Sequence, residues 1–137
     1  MRTLHVGLRV SELERSLAFY SAVGYTIVGT VEGTAFGSLT MLRLPDDDFV
    51  TIELVHDPAR GTDGIGAGIN HLVIQVESLD ATLADLAASG IAAERPALPG
   101  GADEPRTSWI TDPDGYRIEL VQWPPGHADG MTEADFA

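Results

Sequence analysis

The sequence predicts an α+β fold made of two tandem copies of one strand–helix–three-strand module. The first observation behind this is internal repetition, since "LHVGLRVSELERSLAFYSAVG" (4–24) lies over "NHLVIQVESLDATLADLAASG" (70–90). His5 then falls on His71, Val10 on Val76, Leu13 on Leu79, Leu17 on Leu83 and Gly24 on Gly90. The second is that "IELV" at 52–55 recurs at 118–121, so 53 to 119 repeats the 66-residue spacing of 5 to 71 without a gap. The third is that apolar spacing inside each copy switches from a strand period to a helix period. These observations divide the chain into module one (1–56), a connector (57–69), module two (70–123) and a C-terminal tail (124–137).

In module one, residues 3–10 alternate, with Leu4, Val6, Leu8 and Val10 on one face and Thr3, His5, Gly7 and Arg9 on the other. A helix follows. Ser11 and Glu14 have capping-box spacing, Leu13, Leu17 and Tyr20 form a helical stripe, and Gly24 is placed to end it. Strands are expected near 25–31, 35–44 and 49–56. In module two the helix is expected from Ser78, with Leu79, Leu83 and Leu86 inward and Gly90 at its stop. Strands follow near 91–95, 106–111 and 116–123. The run "DPDG" at 112–115 reads as the hairpin turn before the last strand, matched by a turn at 45–48 in module one. The connector "DPARGTDGIGAGI" carries no Lys and no helix follows its glycines, which argues for a linker over a phosphate loop. The loop "RPALPGGADEPR" (95–106) is expected to border the site, and the tail shows no periodic pattern.

Composition narrows the function classes. The 137 residues carry a formal charge of −13, from 21 acids against 8 bases that are all Arg. Such a surface repels phosphate backbones and anionic lipids, so neither a nucleic-acid nor a membrane partner is expected. The start "MRTLH" has no basic-then-apolar leader pattern, and the expected location is the cytoplasm. Zero Cys excludes disulfides, thiolate nucleophiles and Cys-type metal sites.

Each module places a His on its first strand and a Glu on its last. By alternation His5 opposes Leu4 and Val6, Glu53 opposes Ile52 and Leu54, and Glu119 opposes Ile118 and Leu120. All four residues therefore belong to the sheet face that the helices leave uncovered. Two imidazoles and two carboxylates suit a divalent ion such as Zn, Ni, Co, Fe or Mn, with coordination positions left for water or substrate. A single strand His is ordinarily a hydrogen-bonded structural residue, and a single strand Glu is ordinarily solvated. Recurrence at equivalent places in both modules is what singles out this set. His56 and His127 lack repeat partners and read as ordinary polar residues.

With "LHVGLRVSELERSLAFY", "INHLVIQV" and "TDPDGYRIELVQ" in hand, the chain resembles the glyoxalase I branch of the vicinal-oxygen-chelate superfamily over residues 1–123. The resemblance implies the glyoxalase/bleomycin resistance/dioxygenase fold, with paired βαβββ modules forming a cupped mixed sheet around a metal site. It implies His5, Glu53, His71 and Glu119 as ligands of one divalent metal, with Ni or Co favoured and Zn possible. It also implies a homodimer with its sites at the subunit interface and a small-molecule substrate. The implied reaction converts a 2-oxoaldehyde–thiol hemithioacetal to a 2-hydroxyacyl thioester through a metal-stabilised enediolate. Glu119 is the first choice of catalytic base and Glu53 the second. Arg9 aligns with a family arginine that binds a glutathione carboxylate.

The pattern departs from the glutathione enzymes in two places. Asp57 stands where they commonly have Asn, and a basic group in the second-module loop has to come from an Arg such as Arg95 or Arg106. The thiol is therefore left open. Other readings are a superfamily epimerase, a ring-cleaving dioxygenase, or an epoxide-opening thiol transferase that needs only His5, His71 and Glu119. A metal-free drug-binding protein is a further reading, and the intact quartet argues against it.

Overall fold

In the computed structural model, which describes residues 1–61, 65–66, 68–97, 101 and 103–137, the strand β1 (Val6–Arg9) lies parallel to β4 (Ile52–His56). Antiparallel β3 (Gly37–Arg43) and β2 (Thr26–Thr34) complete a four-stranded sheet of order β1-β4-β3-β2. Residues 69–137 repeat the plan, with β5 (His71–Gln75) parallel to β7 (Arg117–Gln122) and β6 (Arg106–Thr111) antiparallel to it. The chain divides into two compact units, Met1–Gly68 and Ile69–Ala137. Parts of the expected loops 57–69 and 95–106 lie outside the described residues.

The repeat extends to hydrogen-bond register. Gly7 is opposite Glu53 in β1/β4, and Val73 is opposite Glu119 in β5/β7, which are the same positions shifted by 66. The helices α1 (Leu13–Val23) and α2 (Leu79–Ala88) also end alike. Gly24 (φ 125) and Gly90 (φ 78) take the left-handed conformation that glycine favours. The next residues donate back into the helix, Tyr25 to the Tyr20 carbonyl and Ile91 to the Leu86 carbonyl, each at 2.9 Å.

The cores form on the alternation faces. In unit one Leu8, Val10, Leu42, Ile52, Leu54 and Tyr20 are buried. In unit two Ile74, Leu79, Leu86, Ile110, Ile118 and Leu120 are buried. Each fully buried large aliphatic side chain contributes about 1.5–3 kcal/mol.

Local details differ from the sequence expectation. β1 is shorter than 3–10, so His5 precedes the strand by one residue, and Leu4 and Val6 stay exposed beside an edge strand. The Ser11–Glu14 capping box does not form. Helix α1 starts after Glu12, and the Ser11 hydroxyl accepts from Arg15 Nη2 at 3.0 Å instead. In α2 the Ser78 Oγ does cap, accepting from Ala81 N at 3.2 Å. The strand expected at 91–95 is reduced to two backbone bonds to β6, Glu94 N to Trp109 O (2.8 Å) and Ala97 N to Thr107 O (2.9 Å). Pro96 occupies the place of the next donor and has no N–H, so the pairing slips one residue to Ala97.

The turn "DPDG" forms around buried Asp112, whose Oδ1 accepts from Asp114 N and Tyr116 N at 2.9 Å each. In the unit-one turn Asp47 does this work, accepting from Leu44 N (2.9 Å) and Thr51 Oγ1 (2.8 Å).

The tail is locally folded. His127 stacks on Trp123 with ring centroids 4.3 Å apart and an interplanar angle of 8°. Its Nδ1 faces the Ala128 carbonyl at 2.6 Å and its Nε2 faces Asp135 Oδ1 at 2.7 Å. Neither acceptor carries a proton, so the imidazolium satisfies both contacts. His127 is therefore a clasp rather than an ordinary polar residue, and Asp135 also closes a capping box with Thr132 on the short helix Glu133–Phe136. The Ala128 carbonyl, then Asp135, raise the His127 pKa above its ordinary value. The Thr132 backbone, then His127, lower that of Asp135. A raised histidine contributes fully below the unfolded value of about 6.5 and loses its contribution as pH rises through the folded value. Trp123 emission, quenched by the stacked imidazolium, is accordingly expected to rise as pH increases above about 6.5. His127→Gln should abolish that titration, and an unchanged titration in the variant would refute the clasp.

Candidate active site

The two His–Glu pairs form, one in each unit. In unit one His5 Nε2 stands 3.2 Å from Glu53 Oε2. Gly7 lies between His5 and Arg9 on this face, and a Cβ there would make ordinary van der Waals contact with Val55 Cγ2 at 3.4 Å and Glu53 Oε1 at 3.6 Å. Arg9 shares the alternation face of His5 and is half-buried. In unit two His71 Nε2 stands 3.7 Å from Glu119 Oε2. All four side chains keep solvent access, the two Glu at 16% and 22% and the two His at 36% and 33%.

Unit two carries more around its pair. His71 Nδ1 is 2.7 Å from Asn70 Oδ1, which fixes that nitrogen as the donor. Trp109 lies edge-on to the His71 ring at 5.1 Å, and Arg117 sits over Trp109 at 4.7 Å while pairing with Glu94 at 2.8 Å. Trp109 reaches Glu119 through a register change. Met41 is opposite Glu53 in unit one, and strict repetition would set Thr107 beside Glu119. The connection through "DPDG" is two residues shorter, so Trp109 takes that place with the facing preserved.

The donor set fits a divalent ion. Two N or O ligands each about 2.0–2.2 Å from a shared ion lie about 3 Å apart at right angles and about 3.4 Å apart at the tetrahedral angle. The 3.2 Å pair falls in that range and the 3.7 Å pair just above it. Among the described residues, no group of three or more His, Cys, Asp or Glu side chains is placed to hold a metal ion, and each unit by itself places one His beside one Glu.

Arg106, one of two arginines expected to supply a basic group from the 95–106 loop, is engaged elsewhere. It makes two bonds to Asp80 on α2, at 2.9 and 3.1 Å, from the face of β6 opposite to Trp109. Asn70, Trp109 and Arg117 were not singled out from sequence. The signal was there for two of them. Arg117 is two residues before Glu119, and Trp109 is an odd number of positions from core residues Ser108 and Ile110.

The sequence profile of the Glyoxalase/Bleomycin resistance protein/Dioxygenase superfamily matches residues 2–120. The chain belongs to this superfamily. Within this superfamily it is similar to a probable lactoylglutathione lyase of Vibrio parahaemolyticus, with 32% identity over 124 residues, 88% of this chain and 90% of the relative. It is 30% identical to the lactoylglutathione lyase of Salmonella typhimurium over 89% of this chain and 93% of that one. The trypanothione-dependent glyoxalase I of Leishmania major superposes with a TM-score of 0.72 at 25% identity, covering 89% of this chain and 86% of that one. This superfamily member is a glyoxalase I-like enzyme. Among the described residues, no helix is long and apolar enough to cross a membrane.

Proposed function

We propose that this enzyme isomerises the hemithioacetal of a 2-oxoaldehyde and a thiol to a 2-hydroxyacyl thioester, with one divalent ion held by His5, Glu53, His71 and Glu119. The observation that carries this reading is the His–Glu pair found in each unit at matching register. The lyase names of relatives that align along most of the chain support the reaction type. One pair from each unit completes the ligand set, in a cytoplasmic homodimer whose sites lie between subunits. Ni or Co is the favoured ion, with Zn as the alternative.

A divalent ion held by these four residues would supply the positive charge that acidifies a C–H beside the substrate's oxygens. Glu119 takes the proton from the carbon bearing sulfur and returns it to the neighbouring carbon. Glu53 is the second candidate for this transfer. Asn70 Oδ1 accepts from His71 Nδ1–H, which would leave Nε2 as the nitrogen available to hold a divalent ion. Arg9, on the face of His5, binds a substrate carboxylate.

The test is a titration of metal-stripped protein with Ni, Co and Zn, followed by an assay of lactoyl thioester from methylglyoxal and a panel of thiols. Saturable binding of one ion per subunit and metal-dependent thioester formation are expected, and Asn70→Ala should weaken binding about tenfold. Protein that binds no ion, or that forms thioester equally well without it, would overturn the reading.

A further inference from the structure

His71 and His5 hold the same place in the repeat and are supported differently. The hydrogen bond to the His71 ring runs from Nδ1 to Asn70 Oδ1 at 2.7 Å. One such bond fixes one atom of an imidazole and leaves the ring plane free to tilt about it. The second contact is aromatic. Trp109 meets the His71 ring at 5.1 Å with the two planes 77° apart. The indole is itself enclosed by a closed circuit of contacts. Its backbone carbonyl accepts from Glu94 N at 2.8 Å, the Glu94 carboxylate pairs with Arg117 at 2.8 Å, and the Arg117 guanidinium lies 4.7 Å over the indole. Buried Ser108 donates from Oγ to the Glu94 carbonyl at 2.7 Å, which secures the segment bearing that carboxylate.

The corresponding positions of unit one carry different chemistry. The 66-residue offset sets Leu4 in place of Asn70, Val28 in place of Glu94 and Thr51 in place of Arg117. Leu4 and Val28 have no hydrogen-bonding side chain, and the Thr51 hydroxyl donates to Asp47 Oδ2 at 2.8 Å. Met41 stands where Trp109 stands, opposite the glutamate. An ion pair as exposed as this one, 44% for Arg117 and 56% for Glu94, adds little to folding, which leaves its grip on the indole as its physical effect. Resting on the reading above, we infer that Trp109 is a positioning residue: it holds the plane of the His71 ring so that Nε2 is presented to the divalent ion, and Arg117 and Glu94 hold Trp109 in turn.

The experiment compares wild type with Trp109→Leu and Trp109→Phe by two measurements on the metal-stripped full chain. The first is the imidazole 15N–1H spectrum. Wild type should show the His71 Nδ1–H protected from solvent exchange, Trp109→Leu should lose that protection, and Trp109→Phe, which keeps an aromatic edge, should recover it. The ring signals of His56, at the end of β4 in the other unit, should stay in place. The second is calorimetric titration with Ni, in which Trp109→Leu should bind roughly tenfold more weakly and Trp109→Phe close to wild type. A protected proton missing from wild type, or unchanged in Trp109→Leu, would overturn the inference. So would a Phe variant that behaves like Leu, or His56 signals that move together with those of His71, since either marks general loss of packing. In a protein that binds Ni, an affinity unaltered by Trp109→Leu would overturn it as well. If wild type binds no Ni, the proposed reaction fails, and the imidazole spectrum still decides whether Trp109 positions His71. Should Trp109→Leu not fold, the same comparison on Arg117→Met, a change at an exposed residue that frees the indole face, gives the decision.

Discussion

Glu119→Gln is expected to lower thioester formation by about 10²–10⁴-fold, the range associated with loss of a positioned general base. The residue has two proposed duties, as ligand and as proton carrier, and the measurement has to separate them. The amide retains an oxygen donor but loses the charge, so ion affinity should fall as well. Activity assayed across increasing Ni or Co answers the question. A rate that stays low at saturating metal identifies proton transfer as the missing step. A rate restored by excess metal would assign Glu119 to binding alone and move the base to Glu53. His71→Ala, which removes a ligand and no base, provides the contrasting case and should be partly rescued by metal.

Gly37→Ala is expected to destabilise unit one by about 2–4 kcal/mol through backbone strain and overpacking. Gly37 has φ 104, and an added Cβ would run into the His56 carbonyl oxygen at the end of β4. Relief requires β3 to move away from the strand that carries Glu53. The melting temperature should drop on the order of 10 °C. Gly29→Ala is the control, because Gly29 also lies in the sheet but has open space around its missing Cβ and no positive φ. Equal melting temperatures for the two variants would refute the steric argument.

The elements that sequence reasoning placed well are those governed by periodic or backbone-limited chemistry. Gly24 and Gly90 stop their helices because a left-handed residue is needed there, and alternation places His5 with Glu53 and His71 with Glu119 on shared faces. Where the reading failed, the deciding contacts had no period. Apolar residues at 91–95 looked like a strand, but Pro96 interrupts the donor series. The tail clasp joins His127 to Asp135 across eight residues, a side-chain bond that leaves no trace in spacing. Parity could have placed Trp109 and Arg117 beside the site. Their connection to Glu94 depends on how the 94–97 segment runs along β6, which only folding reveals.

The two-residue shortening of the second hairpin also makes the two halves of the repeat optically unlike. A thioether (Met41) neighbours Glu53, and an indole (Trp109) neighbours Glu119 and lies 5.1 Å from the His71 ring. An ion or ligand that reaches the pair of unit two is therefore expected to alter Trp109 emission, whereas one confined to the pair of unit one is not.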